Sequence, residues 1–378
     1  MTGGWQIKPF EECIEKVTYT PKIQRKDFLA DGTYPVVSQE EDFINGYWDN
    51  EADLFKVATP VVIFGDHTKV LKYVDFNFVL GADGVKILQP RGFLEPRFFF
   101  YQLQTANLDS LGYARHYKLL KELEIAYPAR SEQQRIIGIL DEAFDGIATA
   151  KANAEKNLQN ARALFESHLQ AIFSQRGEGW VEKMLEEVVT TDCSLSYGIV
   201  QPGEEYPEGL PIVRPTDLTS KVIRLDGLKR IAPKLAEGYK RTALRGGELL
   251  LCVRGSTGVV SIASAALAGG NVTRGIVPIR FDKGMLTQDF GYYLINSGEF
   301  QNQIRKKTYG AALMQVNIRD LRNITVSFPV LKEQAEITAK LDALHEETQR
   351  LESIYQRKLA ALDELKKSLL HQAFSGAL

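Results

Sequence analysis

Two segments of the chain carry apolar residues at spacings of mostly three, four or seven, with polar and charged residues between them. The apolar positions of the two segments are Ile137, Leu140, Phe144, Ile147, Ala154, Leu158, Ala161, Phe165 and Ile172, and then Leu341, Leu344, Leu351, Tyr355, Leu362, Leu365 and Leu369. This spacing is typical of helices that pack along another helix. The pattern predicts helices over 131–175 and 331–378, each roughly 65 Å long at 1.5 Å per residue.

The two helical segments are copies of each other at a constant offset of 201 residues. The offset carries Tyr127-Pro128 onto Phe328-Pro329, Glu132-Gln133 onto Glu333-Gln334, Leu140-Asp141 onto Leu341-Asp342, and Phe173-Ser174 onto Phe374-Ser375. A looser repeat lies upstream, where Gly4-Trp5 recurs as Gly179-Trp180. A register kept without a gap predicts two equivalent helices of equal length, each following a domain of variable length.

The segments 1–130 and 176–330 contain short apolar runs that end in turn residues, a pattern typical of buried strands. The clearest runs are 59–64 and 248–253, and a further strand is predicted over 321–329. The sequence therefore predicts an α+β fold with two mixed α/β domains in tandem. We expect the helices that separate and follow them to pair as an antiparallel coiled coil with pseudo-two-fold symmetry. The alternative is that each helix packs only on its own domain.

Composition excludes some classes of protein. Hydrophobic content of 44% and charged content of 25% are ordinary for a soluble globular protein. No secretory signal is recognisable at the amino terminus, and no apolar run is long enough for a membrane span. Three widely separated cysteines argue against a disulfide framework and favour a reducing cytoplasm. The net charge is −2, yet segment 176–330 holds 20 basic and 16 acidic residues, which leaves room for a basic surface.

The sequence offers little catalytic chemistry. It has no nucleotide-binding phosphate loop, no Asn-Pro-Pro-aromatic or Asp-Pro-Pro-aromatic motif, and five dispersed histidines. The loop Gly255-Ser256-Thr257-Gly258 lacks the features of a nucleophile elbow, and it suits phosphate or base-edge contact or a plain structural turn. We therefore expect no catalytic residue, no metal ligand and no cofactor.

Two strand-rich halves precede long helices, and each helix opens with a proline followed four and five residues later by Glu and Gln. Together with the paired Gly-Trp motifs and the strand-loop segment 247–258, this arrangement resembles the specificity subunit of type I restriction-modification systems. The resemblance covers nearly the whole chain. The first half departs from it at the loop 65–69, which lacks the pattern of 254–258, and this makes its DNA contacts harder to assign.

The resemblance implies a non-catalytic, DNA-reading scaffold. Its two target-recognition domains would each read one part of a split, asymmetric target on double-stranded DNA. The helix pair would set the distance between those parts and dock two methyltransferase (M) subunits, and restriction (R) subunits would join through the complex. Adenine-specific DNA methyltransferase activity and type I endodeoxyribonuclease activity would belong to that complex.

Candidate DNA-contacting residues are polar or basic side chains on predicted loops. In the second half they are Arg254, Ser256, Thr257, Arg274, Arg305, Lys306, Lys307, Gln315 and Asn317, and in the first half His67, Thr68, Lys69, Lys86, Arg115, His116 and Tyr117. If Arg254 or Arg274 makes a bidentate base contact, its replacement by alanine should weaken one half-site by roughly 1–3 kcal/mol. A solvated basic face is the alternative for the lysines.

Three other functions compete with this hypothesis. One is a coiled-coil adaptor that binds only proteins, and its affinity would lack the steep salt dependence of phosphate contacts. Another is a nuclease, which the missing acidic metal cluster argues against. The third is a specificity subunit that serves a modification-only complex.

Overall fold

The computed structural model describes residues 4–106, 108, 115–310 and 314–378, and the chain divides into two units. The first unit is Met1–Lys156 with Tyr355–Leu378, and the second is Asn157–Ile354. Each unit therefore contains one strand-rich domain and a part of both long helices.

Among the residues described in the first unit there are eleven short strands, and four helices begin there. The strands are β1 Gln6–Pro9, β2 Ile14–Glu15, β3 Lys22–Ile23, β4 Tyr34–Val37, β5 Gly46–Trp48, β6 Leu54–Phe55, β7 Val61–Gly65, β8 Leu71–Val74, β9 Phe78–Gly81, β10 Val85–Pro90 and β11 Glu124–Tyr127. The helices are α1 Phe10–Cys13, α2 Pro96–Gln104, α3 Tyr117–Lys121 and α4 Arg130–Gln175, the last of which continues into the second unit.

The second unit repeats this plan with different lengths. Its strands are β12 Val181–Met184, β13 Leu210–Val213, β14 Val222–Ile223, β15 Arg230–Ile231, β16 Leu249–Cys252, β17 Val260–Ala263, β18 Asn271–Val272, β19 Ile276–Ile279 and β20 Thr325–Phe328. Its helices are α5 Gln288–Asn296, α6 Gly298–Lys307, α7 Ile318–Arg322 and α8 Leu331–Ser375, the last of which continues into the first unit. Short 3-10 turns occur in both units. Those of the first unit are Arg25–Asp27 and Glu51–Asp53, and those of the second are Leu185–Glu187, Thr191–Cys193, Pro215–Asp217, Pro233–Ala236, Lys240–Thr242 and Ala265–Leu267.

Each of the two domains contains a four-stranded sheet, and the two sheets share a similar strand order. The three-strand order β10-β7-β8 in the first unit corresponds to β19-β16-β17 in the second, with β7 and β16 in the middle, and the fourth strand, β2 or β14, lies on opposite edges of the two sheets. Both of these middle strands are buried along their whole length, as their apolar runs predict. The first unit adds β3, β9, β4, β5 and β6 as a further sheet, and the second adds β15-β13-β18. The predicted α+β class with long helices is confirmed.

The start of each long helix is fixed by the glutamine of the repeated motif. Gln133 donates from Nε2 to the carbonyls of Pro128 and Phe93 and accepts from the Glu95 backbone N–H, at 2.8–3.0 Å. Gln334 does the same with Pro329, Met285 and the Thr287 N–H, at 2.8–2.9 Å. Both glutamines are fully buried. Each side chain thus satisfies three backbone groups at the point where a long helix meets α2 or α5.

Within each unit the two long helices run antiparallel, as predicted. In the first unit Lys151 pairs with Asp363, and Arg135 donates to the Leu378 carbonyl. In the second unit Arg162 Nε lies 2.9 Å from Glu352 Oε2, and the rings of Phe165 and His345 lie 4.9 Å apart.

The helices also complete the domain cores. The Phe374 ring of α8 packs against Phe98 of α2, and the Phe173 ring of α4 packs against Phe290 of α5, at centroid distances of 5.1 and 5.4 Å. The alternative that each helix packs only on its own domain is therefore wrong, because each contacts the other helix as well.

One predicted strand is shorter than its pattern suggested. The segment 321–329 was expected to be extended, but α7 ends at Arg322 and only Thr325–Phe328 forms β20. Leu321 is fully buried on α7, so its apolar character reflects helix packing. Among the described residues, no helix combines the length and apolarity that a bilayer crossing requires.

Candidate nucleic-acid interface

Three backbone segments meet at the end of β16 and place polar side chains in a row. Arg254 forms a β-bridge with Gln315, and Gln315 forms a second bridge with Tyr309. The Gly255 N–H donates to the Met314 carbonyl at 2.8 Å, and the Val316 N–H donates to the Val253 carbonyl at 2.9 Å. Residues paired across a bridge carry their side chains on the same face. We call Arg254, Gln315 and Tyr309 the arginine row.

Two neighbouring side chains extend the arginine row. The Tyr309 hydroxyl donates to Asn317 Oδ1 at 2.5 Å, which brings the amide of Asn317 beside the row. The Tyr197 hydroxyl donates to the carbonyl of Val316, the residue after Gln315, at 3.2 Å. Burial raises the pKa of Tyr197, while the nearby guanidinium groups of Arg274 and Arg254 act in the opposite direction. Both arginines therefore lie within electrostatic range of the Tyr197 ring.

The glycine loop after Arg254 packs closely against α6. Gly258 has a φ of +93°, and a Cβ there would lie 2.4 Å from Gln301 Oε1 of α6. Gln301 in turn donates to the Gly258 carbonyl at 2.9 Å. Glycine is favoured at this position because the backbone conformation is strained for other residues, and a side chain would also displace the Gln301 amide. The loop is thereby tied to α6, with Ser256 exposed and Thr257 Oγ1 3.5 Å from Thr308 Oγ1.

The basic end of α6 leads directly into the arginine row. Arg305, Lys306 and Lys307 form the last turn of this helix, and Tyr309 follows two residues later. Arg305 contacts the Asn302 side chain, and both Arg305 and Lys306 are exposed. Cations at a helix C-terminus are electrostatically favourable, so the helix stabilises these three positive charges in its last turn.

The first unit gathers a different set of side chains around a buried aspartate. Asp66 follows β7, accepts from the Tyr117 N–H at 2.7 Å through Oδ1, and lies 3.9 Å from Lys86 Nζ through Oδ2. Lys86 also lies over the Tyr117 ring, 5.3 Å from its centroid. Lys22 of β3 also belongs to this set. Burial lowers the pKa of Lys22, and the positive charges of Lys86 and Arg115 lower it further. The Lys22 ammonium lies 5.1 Å from the centroid of the Tyr19 ring.

We call Tyr19, Lys22, Lys86, Arg115 and Tyr117 the lysine cluster. In this cluster, cationic side chains lie next to aromatic rings, an arrangement suited to phosphate and base contact. Burial raises the pKa of Tyr19 and of Tyr117, so both phenols stay neutral and can donate hydrogen bonds.

The loop 66–69 is tied to its own domain. Thr68 Oγ1 donates to the Gln39 carbonyl at 2.6 Å, the His67 N–H donates to Gln39 Oε1 at 3.1 Å, and Lys69 Nζ lies 3.3 Å from the Leu108 carbonyl. His116 is 1% exposed and its backbone N–H donates to the Asp66 carbonyl at 2.7 Å. The His116 side chain therefore supports the loop from inside and is not part of the surface.

Sequence reasoning missed four residues of these two surfaces: Tyr19, Lys22, Tyr197 and Tyr309. Tyr309 follows the basic turn of α6 in the sequence, and that basic-aromatic run could have identified it. Tyr19 and Lys22 are near each other in the chain but far from the rest of the lysine cluster, and Tyr197 is far from the arginine row, so only the fold brings these residues together. Among the described residues, no group of three or more His, Cys, Asp and Glu side chains could hold a metal ion.

Comparisons with known proteins agree with this architecture. Residues 177–358 match the family model described as the type I restriction modification DNA specificity domain. The chain is 24% identical to the type I restriction enzyme EcoBI specificity subunit of Escherichia coli, over 100% of this chain and 84% of that protein. It is 21% identical to the StySPI specificity subunit of Salmonella potsdam, over 99% of this chain and 89% of that protein.

Two solved structures share the fold. One is a chain from a study of complex assembly and conformational transition of the type I restriction-modification system, with a TM-score of 0.73, 18% identity and coverage of 100% of this chain and 99% of that one. The other is the HsdS subunit from Thermoanaerobacter tengcongensis, with a TM-score of 0.58, 18% identity and coverage of 100% and 98%.

Proposed function

The chain belongs to the family of type I restriction-modification specificity subunits, and from this premise we propose that its two surfaces each read one part of a split DNA target. The arginine row with Arg274 and Asn317 would read one part, and the lysine cluster the other. Specificity subunits are the non-catalytic members of their systems. Methylation of adenine and cleavage would be carried out by the M and R subunits of the complex.

The arginine row is the observation that carries this proposal. A guanidinium group offers the paired donors that match guanine O6 and N7, and an amide offers the donor and acceptor that match adenine N6 and N7. In the arginine row these two groups stand side by side on a bridged strand platform. Such rigid placement suits base-edge reading, because less side-chain and loop entropy is lost on binding.

The proposal extends to domain limits, partners and location. Residues 1–130 and 176–330 would form the two target-recognition domains, and 131–175 and 331–378 the spacer helices. Double-stranded DNA and two M subunits would be direct partners, and R subunits would join through the complex. The three cysteines are free and buried, which supports a cytoplasmic site of action.

Mapping methylated adenines tests the function directly. We expect co-expression of this chain with its methyltransferase subunit to methylate a motif of two short parts around a fixed gap. Replacing residues 1–130 by the corresponding domain of a relative with another target should change only one part. A stable complex that methylates no defined motif would contradict DNA reading and favour the adaptor function.

Removing the lysines of the α6 turn should weaken DNA binding without changing its sequence preference. For Lys306→Ala with Lys307→Ala, we expect the slope of log affinity against log salt to fall by about 2, because each lost phosphate contact contributes about 1. Fluorescence anisotropy of labelled duplexes between low and moderate salt measures this slope. The matched control is Lys366→Ala with Lys367→Ala, another adjacent pair on a helix. A variant slope equal to that of the wild type would identify the α6 lysines as a solvated face.

A further inference from the structure

Each recognition domain shares an apolar core with its long helix and also makes two polar contacts with it that recur in both units, the second of which is a tyrosine–aspartate hydrogen bond. The Tyr101 hydroxyl of α2 donates to Asp141 of α4, and the Tyr293 hydroxyl of α5 donates to Asp342 of α8. Each aspartate lies eight residues after the buried glutamine of the first attachment, at Gln133 or Gln334. At 1.5 Å per residue, the two attachments are about 12 Å apart along the helix.

A cation completes each tyrosine–aspartate contact, and it comes from a different place in each unit. In the first unit Arg97 of α2 supplies it, with Nε 2.9 Å from Asp141 Oδ1 and 3.4 Å from the Tyr101 hydroxyl. In the second unit Lys221 supplies it, with Nζ 2.7 Å from Asp342 Oδ1 and 3.2 Å from the Tyr293 hydroxyl. The same arrangement is thus built twice from unrelated chain segments.

Lys221 connects the second attachment to the sheet that carries the arginine row. It directly precedes β14, which pairs with β17, and β17 pairs with β16, which ends at Cys252, two residues before Arg254. The Lys221 carbonyl also accepts from the Ile262 N–H of β17 at 2.7 Å. Lys221 therefore adds a directional contact between this sheet and α8 to the apolar core that they share.

Two contacts at different points along a helix fix the angle between the domain and that helix, whereas a single contact does not. The apolar core that α5 and the sheet share with α8 is not directional, so with Gln334 as the only one of these polar contacts they could still pivot slightly about that point on α8. The hydrogen bond to Asp342 blocks this pivot because it holds a second point farther along the same helix. A pivot that moved a reading surface by one base step, about 3.4 Å along a strand, would change the spacing that the protein accepts.

We propose that Tyr293, Asp342 and Lys221, with Tyr101, Asp141 and Arg97, are positioning residues that fix the angle of each reading surface on its long helix and so restrict the target to one spacer length. This inference rests on the proposed function. None of these six residues belongs to the arginine row or the lysine cluster, so they act on the position of each reading surface and leave its base preference intact.

The test is methylation of duplexes that differ only in spacer length. The complex with methyltransferase subunits is assayed on the mapped target and on versions one base pair shorter and longer. We expect Tyr101→Phe with Tyr293→Phe to raise the relative rate on the altered spacers at least tenfold, with the same base requirement in both half-sites. Phenylalanine keeps the ring packing and removes only the hydroxyl. Lys221→Met is the second variant, and it should relax the spacer less because the tyrosine–aspartate bond remains.

Tyr127→Phe is the matched control. Tyr127 is as buried as Tyr101, but its hydroxyl donates to Gln6 of β1 at 2.8 Å. Loss of this hydroxyl should therefore leave the preference for one spacer length unchanged. Folded double and Lys221 variants that both keep the strict spacing of the wild type would overturn the positioning role. A wild-type complex that methylates no split target would overturn the proposed function itself, and this inference with it.

Discussion

Replacing Arg280 by alanine is expected to lower the free energy of unfolding by about 3–5 kcal/mol, because it leaves a buried carboxylate without its cation. Arg280 follows β19, and its Nη2 lies 2.5 Å from Glu248 Oε1, whose side chain is 0% exposed. Glu248 also accepts from the Arg245 and Gly246 N–H groups at 2.8 and 2.9 Å. These two donors remain in the variant, but they carry no full charge. Urea unfolding of the wild type and the variant at pH 7 gives the difference.

Arg245→Ala is the matched control for this measurement. Arg245 pairs with Asp192 through a side chain that is 67% exposed, and exposed ion pairs contribute little. We expect a change of less than about 1 kcal/mol. A second variant, Arg280→Met with Glu248→Gln, should recover part of the loss because no buried charge is left uncompensated. Equal losses in the free energy of unfolding for Arg280→Ala and Arg245→Ala would show that the buried Arg280–Glu248 pair stabilises the fold no more than the exposed Arg245–Asp192 pair.

The long helices could be predicted because their signal is local and repeated. Heptad spacing needs only neighbouring residues, and the constant offset between the two segments gave independent support. The same repeat drew attention to Gln133 and Gln334, but not to their function. Their partners, Phe93 and Met285, lie about forty and fifty residues upstream. No spacing rule in the sequence links a side chain to a backbone carbonyl at that distance.

The two proposed reading surfaces were predicted only in part. Arg254 and Gln315 were both candidates, but their pairing depends on a β-bridge between distant segments. His116 was a candidate on its chemistry, and its burial follows from contacts with Asp66 that the sequence does not reveal. Lys22 and Tyr19 were missed because a lysine and a tyrosine among ordinary residues give no signal before the strands assemble around them.

The two surfaces are chemically unequal, which fits an asymmetric target. The arginine row presents a planar guanidinium group beside an amide, and both can make paired hydrogen bonds to a base edge. The lysine cluster presents ammonium groups over tyrosine rings. An ammonium group is a point charge without fixed direction, and it is better suited to phosphate than to base discrimination. We therefore expect single substitutions to change base preference more in the second unit than in the first.

Arg254→Ala is expected to weaken one half-site and to relax its sequence at one position. The loss should be about 1–3 kcal/mol, which corresponds to roughly 5- to 150-fold in affinity. Arg254 stands between Gln315 and the tethered glycine loop, so the change leaves the bridged backbone in place. Adenine methylation across a library randomised at the second half-site measures both effects. We expect one guanine position to become degenerate, with the other half-site unchanged.

Arg254→Lys separates charge from geometry at the same position. Lysine keeps the positive charge but lacks the planar pair of donors, so the salt dependence of binding should persist while the guanine preference declines. Arg224→Ala, at an exposed arginine after β14, is the control that should change neither. If Arg254→Lys instead retained full guanine discrimination, Arg254 would contribute charge alone, and Gln315 or Arg274 would become the leading base-reading residue of the second unit.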